Sequence, residues 1–362
     1  MSSLASHFAG GRDYLAACTL GLPSRATVRA VRDDLDAAAS GRPDVVAASK
    51  AVEEARASYA HLVRVPVGDV AIGSQTSVQV SLLAAAVPDG AEVLCAEGDF
   101  SSLVAPFAHA GRGIRLRTAP LEDLADAVSP DTWLVAFSLV QSATGEVADA
   151  VRISAAAARA GARTLCDLTQ AAGWLPVDAT MFDATVCHAY KWLCCPRGVS
   201  FLTVSPDLAR QIRPVHAGWY SGDDPWSSCY GTGGTLAPDA RRFDVSPAWQ
   251  AFVGAAPALA LFADADITST YAHTTGLAAR FRNGLGLPEP ARPSAIVTWP
   301  DATGEALAQL TAHGITASGR AGRARVAFHV FNDEIDVDRA LHALGVRGGD
   351  DLSAFDGLVY AI

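Results

Sequence analysis

From residue 70 to residue 204 short apolar runs alternate with alanine-rich stretches, and no other feature narrows the fold as much. The runs are VAIGS, EVLCAE, IRLRT, WLVAFSLV, RTLCD, ATVCH and VSFLTV, and between them lie SVQVSLLAAAV, SSLVAPFAHAG and AVRISAAAARAG. Strands that are apolar at nearly every position are buried on both faces, and helices between them cover those faces. The pattern predicts an α/β fold with a mainly parallel sheet. Upstream, DVVAASKAVEEARASYAHLV has helical periodicity. Residues 219–249 are rich in Gly, Pro and Asp and read as a loop. The helix AFVGAAPALALFADA follows, and then SAIVTW, GITAS, RARVAFHV and IDVDRALHAL form a compact α+β unit. We expect an N-terminal arm at 1–35 packing with the small domain, a large domain at 36–250 and a small domain at 251–362, which suits a chain of 362 residues.

Half of the residues are hydrophobic and 18% are charged, the composition of a globular core. The net charge of -10 argues against nucleic acid or an anionic membrane as partner and leaves a small molecule as the ligand. No run has the form of a signal peptide or the length of a membrane span. The seven cysteines are odd in number and several fall in strands, as reduced thiols of a cytoplasmic protein would. None is spaced as a zinc site, so no metal centre is expected.

In an open parallel sheet the ligand crevice lies beyond the C-terminal ends of the strands. There Ser74, Gln75, Thr76 and Ser77 open a helix, either as an N-cap or as an anion cradle. Asp167 follows RTLC, as a cap or as a buried carboxylate. Lys191 follows another apolar strand and is one of only two lysines among 28 basic residues. Burial lowers the pKa of a lysine and makes it a nucleophile toward an aldehyde, a task arginine cannot perform. A phosphate cradle, a carboxylate and an amine together fit pyridoxal 5′-phosphate.

The segments DLTQ and CHAYKWL resemble the DxxQ and lysine-bearing segments of the class V aminotransferase group of pyridoxal-phosphate enzymes. That group also holds cysteine desulfurases, kynureninases and an epimerase branch. GSQTSVQVSLLA is similar to its phosphate loop, GDFSSLVAPF to its ring-stacking segment, and RARVAFHVFNDEIDVDRAL to its substrate-carboxylate segment. The resemblance implies a fold-type I architecture, with a seven-stranded-type large-domain sheet and a smaller C-terminal α+β domain, in a homodimer with shared active sites. It implies that Lys191 holds the cofactor and shuttles the Cα proton and that Asp167 pairs with the ring nitrogen. Gln170 would bond the ring hydroxyl and Phe100 would stack on the ring. Gln75, Thr76 and His188 would hold the phosphate with Ser246 from a neighbouring subunit, and Arg325 would clamp the substrate carboxylate.

The departures bear on the reaction. His188 stands where serine is frequent, Tyr190 where histidine is frequent, and CCPRG replaces a Gly-Pro turn. HGITASGRAGRA lacks the cysteine that a persulfide-forming desulfurase needs. The glycine-threonine pair of kynureninases is missing after RF. An amino-acid substrate losing its Cα proton to Lys191 leads first to transamination. A β-elimination or carbon-carbon or carbon-sulfur lyase reaction is the alternative, then epimerisation, and a non-catalytic binder stands as the reading of another class. Trp219, Tyr220, Cys194 and Cys195 receive no role from the sequence.

Overall fold

The computed structural model describes residues 4–232 and 234–346; the end of the expected small domain, 347–362, lies outside the described residues. The large sheet is built from β1 (Val70–Gly73), β2 (Glu92–Ala96), β3 (Arg115–Ala119), β4 (Thr132–Ser138), β5 (Arg163–Asp167), β6 (Ala184–His188) and β7 (Ser200–Val204). Its order is β1-β7-β6-β5-β4-β2-β3. Parallel pairing runs from β3 through β2, β4 and β5 to β6. β7 is antiparallel to both of its neighbours, β6 and β1.

The helices are α1 (Arg25–Ala39), α2 (Val45–Val63), α3 (Thr76–Ala86), α4 (Ser101–Ala108), α5 (Ala150–Ala160), α6 (Pro206–Ala209), α7 (Trp249–Ala263), α8 (Ile267–Gly284), α9 (Glu305–Ala312) and α10 (Glu334–Ala343). Consecutive strand residues point to opposite faces, and here both faces are covered. Ile72, Leu94, Val135 and Cys166 pack in one layer with Val52 and Tyr59 of α2 and Phe252 and Leu259 of α7. Their strand neighbours Ala71, Val93, Leu134 and Leu165 pack in the other with Val80 and Leu83 of α3 and Phe107 of α4. This two-sided burial explains the uninterrupted apolar runs.

The C-terminal region carries an antiparallel sheet in the order β8-β10-β9, from β8 (Ile296–Pro300), β9 (Ser318–Arg320) and β10 (Arg323–Ala327). Its core holds Leu277 and Phe281 of α8, Val297, Val326, Phe328 and Val337 of α10. The N-terminal segment reaches into it: Leu15 belongs to that core, its N–H donates to Thr316 O at 2.8 Å, and its carbonyl accepts from Ala327 N at 2.9 Å. Ala17 and Cys18 lie in the large core instead. Helix α1 and helix α8 had no counterpart in the sequence pattern, and β9 begins only at Ser318, the last residue of GITAS. The described residues from 219 to 248 form a loop with short 3-10 turns, as expected, and Trp249 already opens α7. Among the described residues no single helix is long and apolar enough to cross a membrane, and no cluster of His, Cys, Asp or Glu has the form of a metal site.

Candidate active site

The parallel strands end along a single cleft of about 200 Å³. The strand order reverses between β2 and β4, the place where open α/β sheets take their ligands. Asp167 is the last residue of β5, 4% exposed, and its Oδ1 accepts from Thr169 N at 2.8 Å. Burial pushes its carboxyl up to about 6, against the opposing pull of the Thr169 hydrogen bonds and of Lys191. Beside it, Asp99 accepts from Ser138 N (2.8 Å), Ser138 Oγ (2.5 Å), Gln141 Nε2 (3.0 Å) and Phe100 N (2.6 Å). This carboxylate ties the exit of β2 to the end of β4 and so fixes Phe100 at the start of α4.

Lys191 lies on the turn between β6 and β7 and is 5% exposed. Burial lowers its amine to about 8, with Asp167 pulling the other way. Nζ stands 5.3 Å from the centre of the Phe100 ring, and no carboxylate lies within 4.0 Å of it among the described residues. The turn is held by Cys194 N donating to Lys191 O (3.1 Å), by Cys195 N donating to Ala189 O (3.1 Å) and by Gly21 N donating to Tyr190 O (2.9 Å). A Cβ on Gly21 would stand 2.0 Å from Lys191 O, so the N-terminal segment passes the lysine only as glycine.

At the start of α3 the N-cap residue Gln75 makes no side-chain cap, so the capping alternative fails there, and Gln75, Thr76 and Ser77 line the cleft. His188 at the end of β6 has its Nε2 buried with no partner among the described residues. Its imidazole is pulled down to about 4 by burial first, then by Arg197 and Lys191. Arg325 on β10 is 1% exposed. Its Nε donates to Ser318 Oγ (3.1 Å), Nη1 to Ser142 Oγ (3.1 Å) and to Ser142 O, and Nη2 to Thr19 Oγ1 (2.8 Å). All of these acceptors are neutral, and an arginine buried without a carboxylate is costly unless an anion arrives.

Gln75, Thr76, Phe100, Asp167, Gln170, His188 and Lys191 therefore line one cleft. Arg325 adjoins it through Ser142. Gln170 is fully engaged: Nε2 donates to Cys18 O (2.9 Å) and Ser142 Oγ (3.0 Å), and Oε1 accepts from Trp192 Nε1 (2.8 Å). Ser246 is exposed and is not on the lining of its own chain's cleft. Trp219 and Tyr220 sit in an aromatic cluster with Trp226 and Trp249, off the lining. Cys194 and Cys195 are buried behind the lysine turn, where burial pushes both thiols up. Sequence reasoning gave no role to Ser142, Asp99, Thr19 or Arg197. Arg197 had left a signal as part of the unusual CCPRG turn, and Asp99 as the neighbour of Phe100 in GDFSSLVAPF.

The residues fit pyridoxal phosphate. An orphaned imidazole nitrogen and an uncapped helix start suit its phosphate, a buried carboxylate with a raised pKa suits its ring nitrogen, and a buried amine suits its aldehyde.

The sequence model of the family described as aminotransferase class-V matches residues 36–290. The chain is 24% identical over 352 residues to a protein of Bacillus subtilis (strain 168) called an uncharacterized aminotransferase, YcbU, covering 92% of this chain and 94% of that one. It is 31% identical over 239 residues to a kynureninase of Salinispora tropica, covering 62% of this chain and 53% of that one. Among solved structures, a variant of C-DES with glycine covalently linked to its PLP cofactor superposes with a TM-score of 0.83 at 20% identity, covering 95% of this chain and 99% of the other.

Proposed function

The chain belongs to the class-V aminotransferase family and is a pyridoxal-phosphate-dependent enzyme, and from that premise we propose that it transfers the amino group of an amino acid, working as a cytoplasmic homodimer. The observation that carries this is Lys191, the only amine on the cleft lining, with its pKa lowered to about 8. When bound, the cofactor supplies a ring that accepts electrons as a bond at the substrate Cα breaks. Transfer of an amino group then asks for a single base that removes the Cα proton and returns it to a neighbouring carbon. Lys191 has that capacity, whereas His188 at about 4 is too weak a base.

In this reading the fork of Arg325 takes the substrate carboxylate in place of its neutral acceptors. Asp167 accepts the ring N–H, Phe100 covers the ring, and Gln75, Thr76 and His188 hold the phosphate together with Ser246 of the partner subunit. Gln170 would release Cys18 O or Ser142 Oγ to reach the ring hydroxyl. The seven cysteines are all unpaired, in keeping with a reducing compartment. The Bacillus subtilis relative, matched along nearly its full length, is called an aminotransferase.

A lyase is the second reading, because the same deprotonation by Lys191 expels a β-leaving group without a further catalyst. The kynureninase of Salinispora tropica favours it, although only about half of that protein is matched. The test is incubation of the PLP-loaded protein with a panel of amino acids and cysteine S-conjugates. Transamination predicts one equivalent of keto acid per site without an acceptor, and full turnover once a second keto acid is added. Continuous release of pyruvate or alanine with a thiol or acid, without an acceptor, overturns it in favour of the lyase.

A further inference from the structure

We propose that Arg197 is the fixed counter-charge for the phosphate of the cofactor, so that this chain distinguishes phosphorylated from free pyridoxal through a guanidinium. The inference rests on the pyridoxal-phosphate site above and adds to it a residue from the turn that departs from the family pattern.

The argument begins with charge. A phosphate monoester carries between one and two negative charges at neutral pH. Thr76 and Ser77 at the start of α3 offer hydroxyls and backbone N–H groups, and His188 offers a neutral ring. These donors bring hydrogen bonds but no net charge. The cleft lining holds two other basic side chains, Lys191 and Arg197. The lysine gives up its charge when it acts as an amine, which leaves Arg197 as the permanent cation.

Arg197 is exposed on the turn before β7, where it lines this cleft and also borders a more apolar pocket between α1 and α7. Pro196 precedes it, and Gly198, at φ +99°, turns the chain into β7 with Ala248 and Ala251 3.6 Å from where a Cβ would be. The guanidinium lies 4.6 Å from the centre of the Tyr190 ring, and an arginine resting on an aromatic face keeps its N–H edge free for an anion. The Tyr190 ring in turn stands edge-on to His188, 4.4 Å between centres, so the stack ends at the imidazole whose buried Nε2 has no partner among the described residues. Arg197 is exposed, and no carboxylate lies within 4.0 Å of it among the described residues, so its charge is not already neutralised by an ion pair.

The experiment compares pyridoxal phosphate with pyridoxal. Dissociation constants for both are measured on the cofactor-stripped full chain at low ionic strength, for the wild type, Arg197→Ala and Arg197→Lys. The expected result is a loss of about tenfold or more in affinity for pyridoxal phosphate in Arg197→Ala, pyridoxal unchanged within about twofold, and partial recovery in Arg197→Lys. Inorganic phosphate should also compete with reconstitution of the wild type more strongly than with that of Arg197→Ala. Equal weakening of both ligands would mean that Arg197 only props the turn by stacking on Tyr190, and would overturn the proposal. Unchanged affinity for both, with KM raised for acidic amino acids alone, would assign Arg197 to the substrate and overturn it as well. Failure of the wild type itself to bind pyridoxal phosphate would remove the underlying site, an outcome distinct from a failure confined to the Arg197 variants.

Discussion

Arg325 Nη1 and Gln170 Nε2 donate to the same hydroxyl, Ser142 Oγ, at 3.1 and 3.0 Å. The side chain proposed to grip the substrate and one proposed to touch the cofactor thus share an acceptor. With only neutral oxygens accepting its hydrogen bonds among the described residues, the guanidinium gains when a carboxylate replaces them. Arg325→Ala is expected to raise KM for the amino acid by roughly 30- to 150-fold, from about 2–3 kcal/mol of charge-assisted hydrogen bonding, while the cofactor chromophore persists. Arg325→Lys should recover little, because an ammonium lacks the planar fork. Steady-state kinetics beside visible absorbance checks both statements.

Asp167 separates stability from catalysis. Its folded pKa, about 6, lies above the ordinary carboxylate value of 3.8. The sign follows from linkage: its contribution to stability is fully present below the unfolded pKa and is lost as pH rises through the folded one. Asp167→Asn does not titrate, so the stability of the cofactor-free variant relative to wild type should improve by roughly 3 kcal/mol as pH rises through that window. Denaturant melts of both proteins on either side of the window read this shift. Turnover should fall about 100-fold or more, since the charge that keeps the ring nitrogen protonated is gone.

Lys191 has the opposite linkage. Its folded pKa of about 8 is below the ordinary 10.5, so its stability contribution is present above the unfolded pKa and is lost as pH falls through about 8. The cofactor-free Lys191→Met protein should therefore gain on wild type as pH is lowered through that value. Only the neutral amine attacks an aldehyde, so the rate of cofactor capture by the wild type should rise about tenfold between roughly pH 7 and pH 9 and then level off. An amine titrating at its ordinary value would keep accelerating beyond that.

The large sheet was legible because burial on both faces writes itself as unbroken apolar runs, and Asp167, His188 and Lys191 were legible because each closes or follows such a run. Helix α8 was not, since ITSTYAHTTGLAARFRNG buries threonines such as Thr274 and Thr275, whose hydroxyls donate to carbonyls of the preceding turn, rather than presenting an apolar stripe. The reversed direction of β7 leaves no trace either, because a strand buried on both faces reads alike in either sense. Ser142 and Thr19 escaped for another reason: Arg325 finds them 183 and 306 residues away in the chain, and no local pattern records such a meeting.

Gly21 shows how far that long-range dependence goes. Its Cβ position lies 2.0 Å from Lys191 O and 3.0 Å from Cys194 Cα, both backbone atoms that cannot swing aside. Gly21→Ala is expected to push the N-terminal segment off the lysine turn, weaken the bond from Gly21 N to Tyr190 O, and cost about 2 kcal/mol or more of stability. Thermal unfolding should register the loss, together with weaker cofactor binding than in a control change at Gly41, where a Cβ meets nothing within 4 Å. Gly41 has φ +74°, so the control carries backbone strain without touching the site.

The central claim is that Lys191 is the residue that takes the cofactor. Its most direct test is borohydride reduction of the PLP-loaded protein followed by peptide mapping. The account predicts loss of the visible chromophore and a single pyridoxyl adduct on Lys191, absent in Lys191→Ala. A stable adduct on Lys50, which is exposed and paired with Glu54 at 3.1 Å, or no reducible chromophore at all, would contradict it.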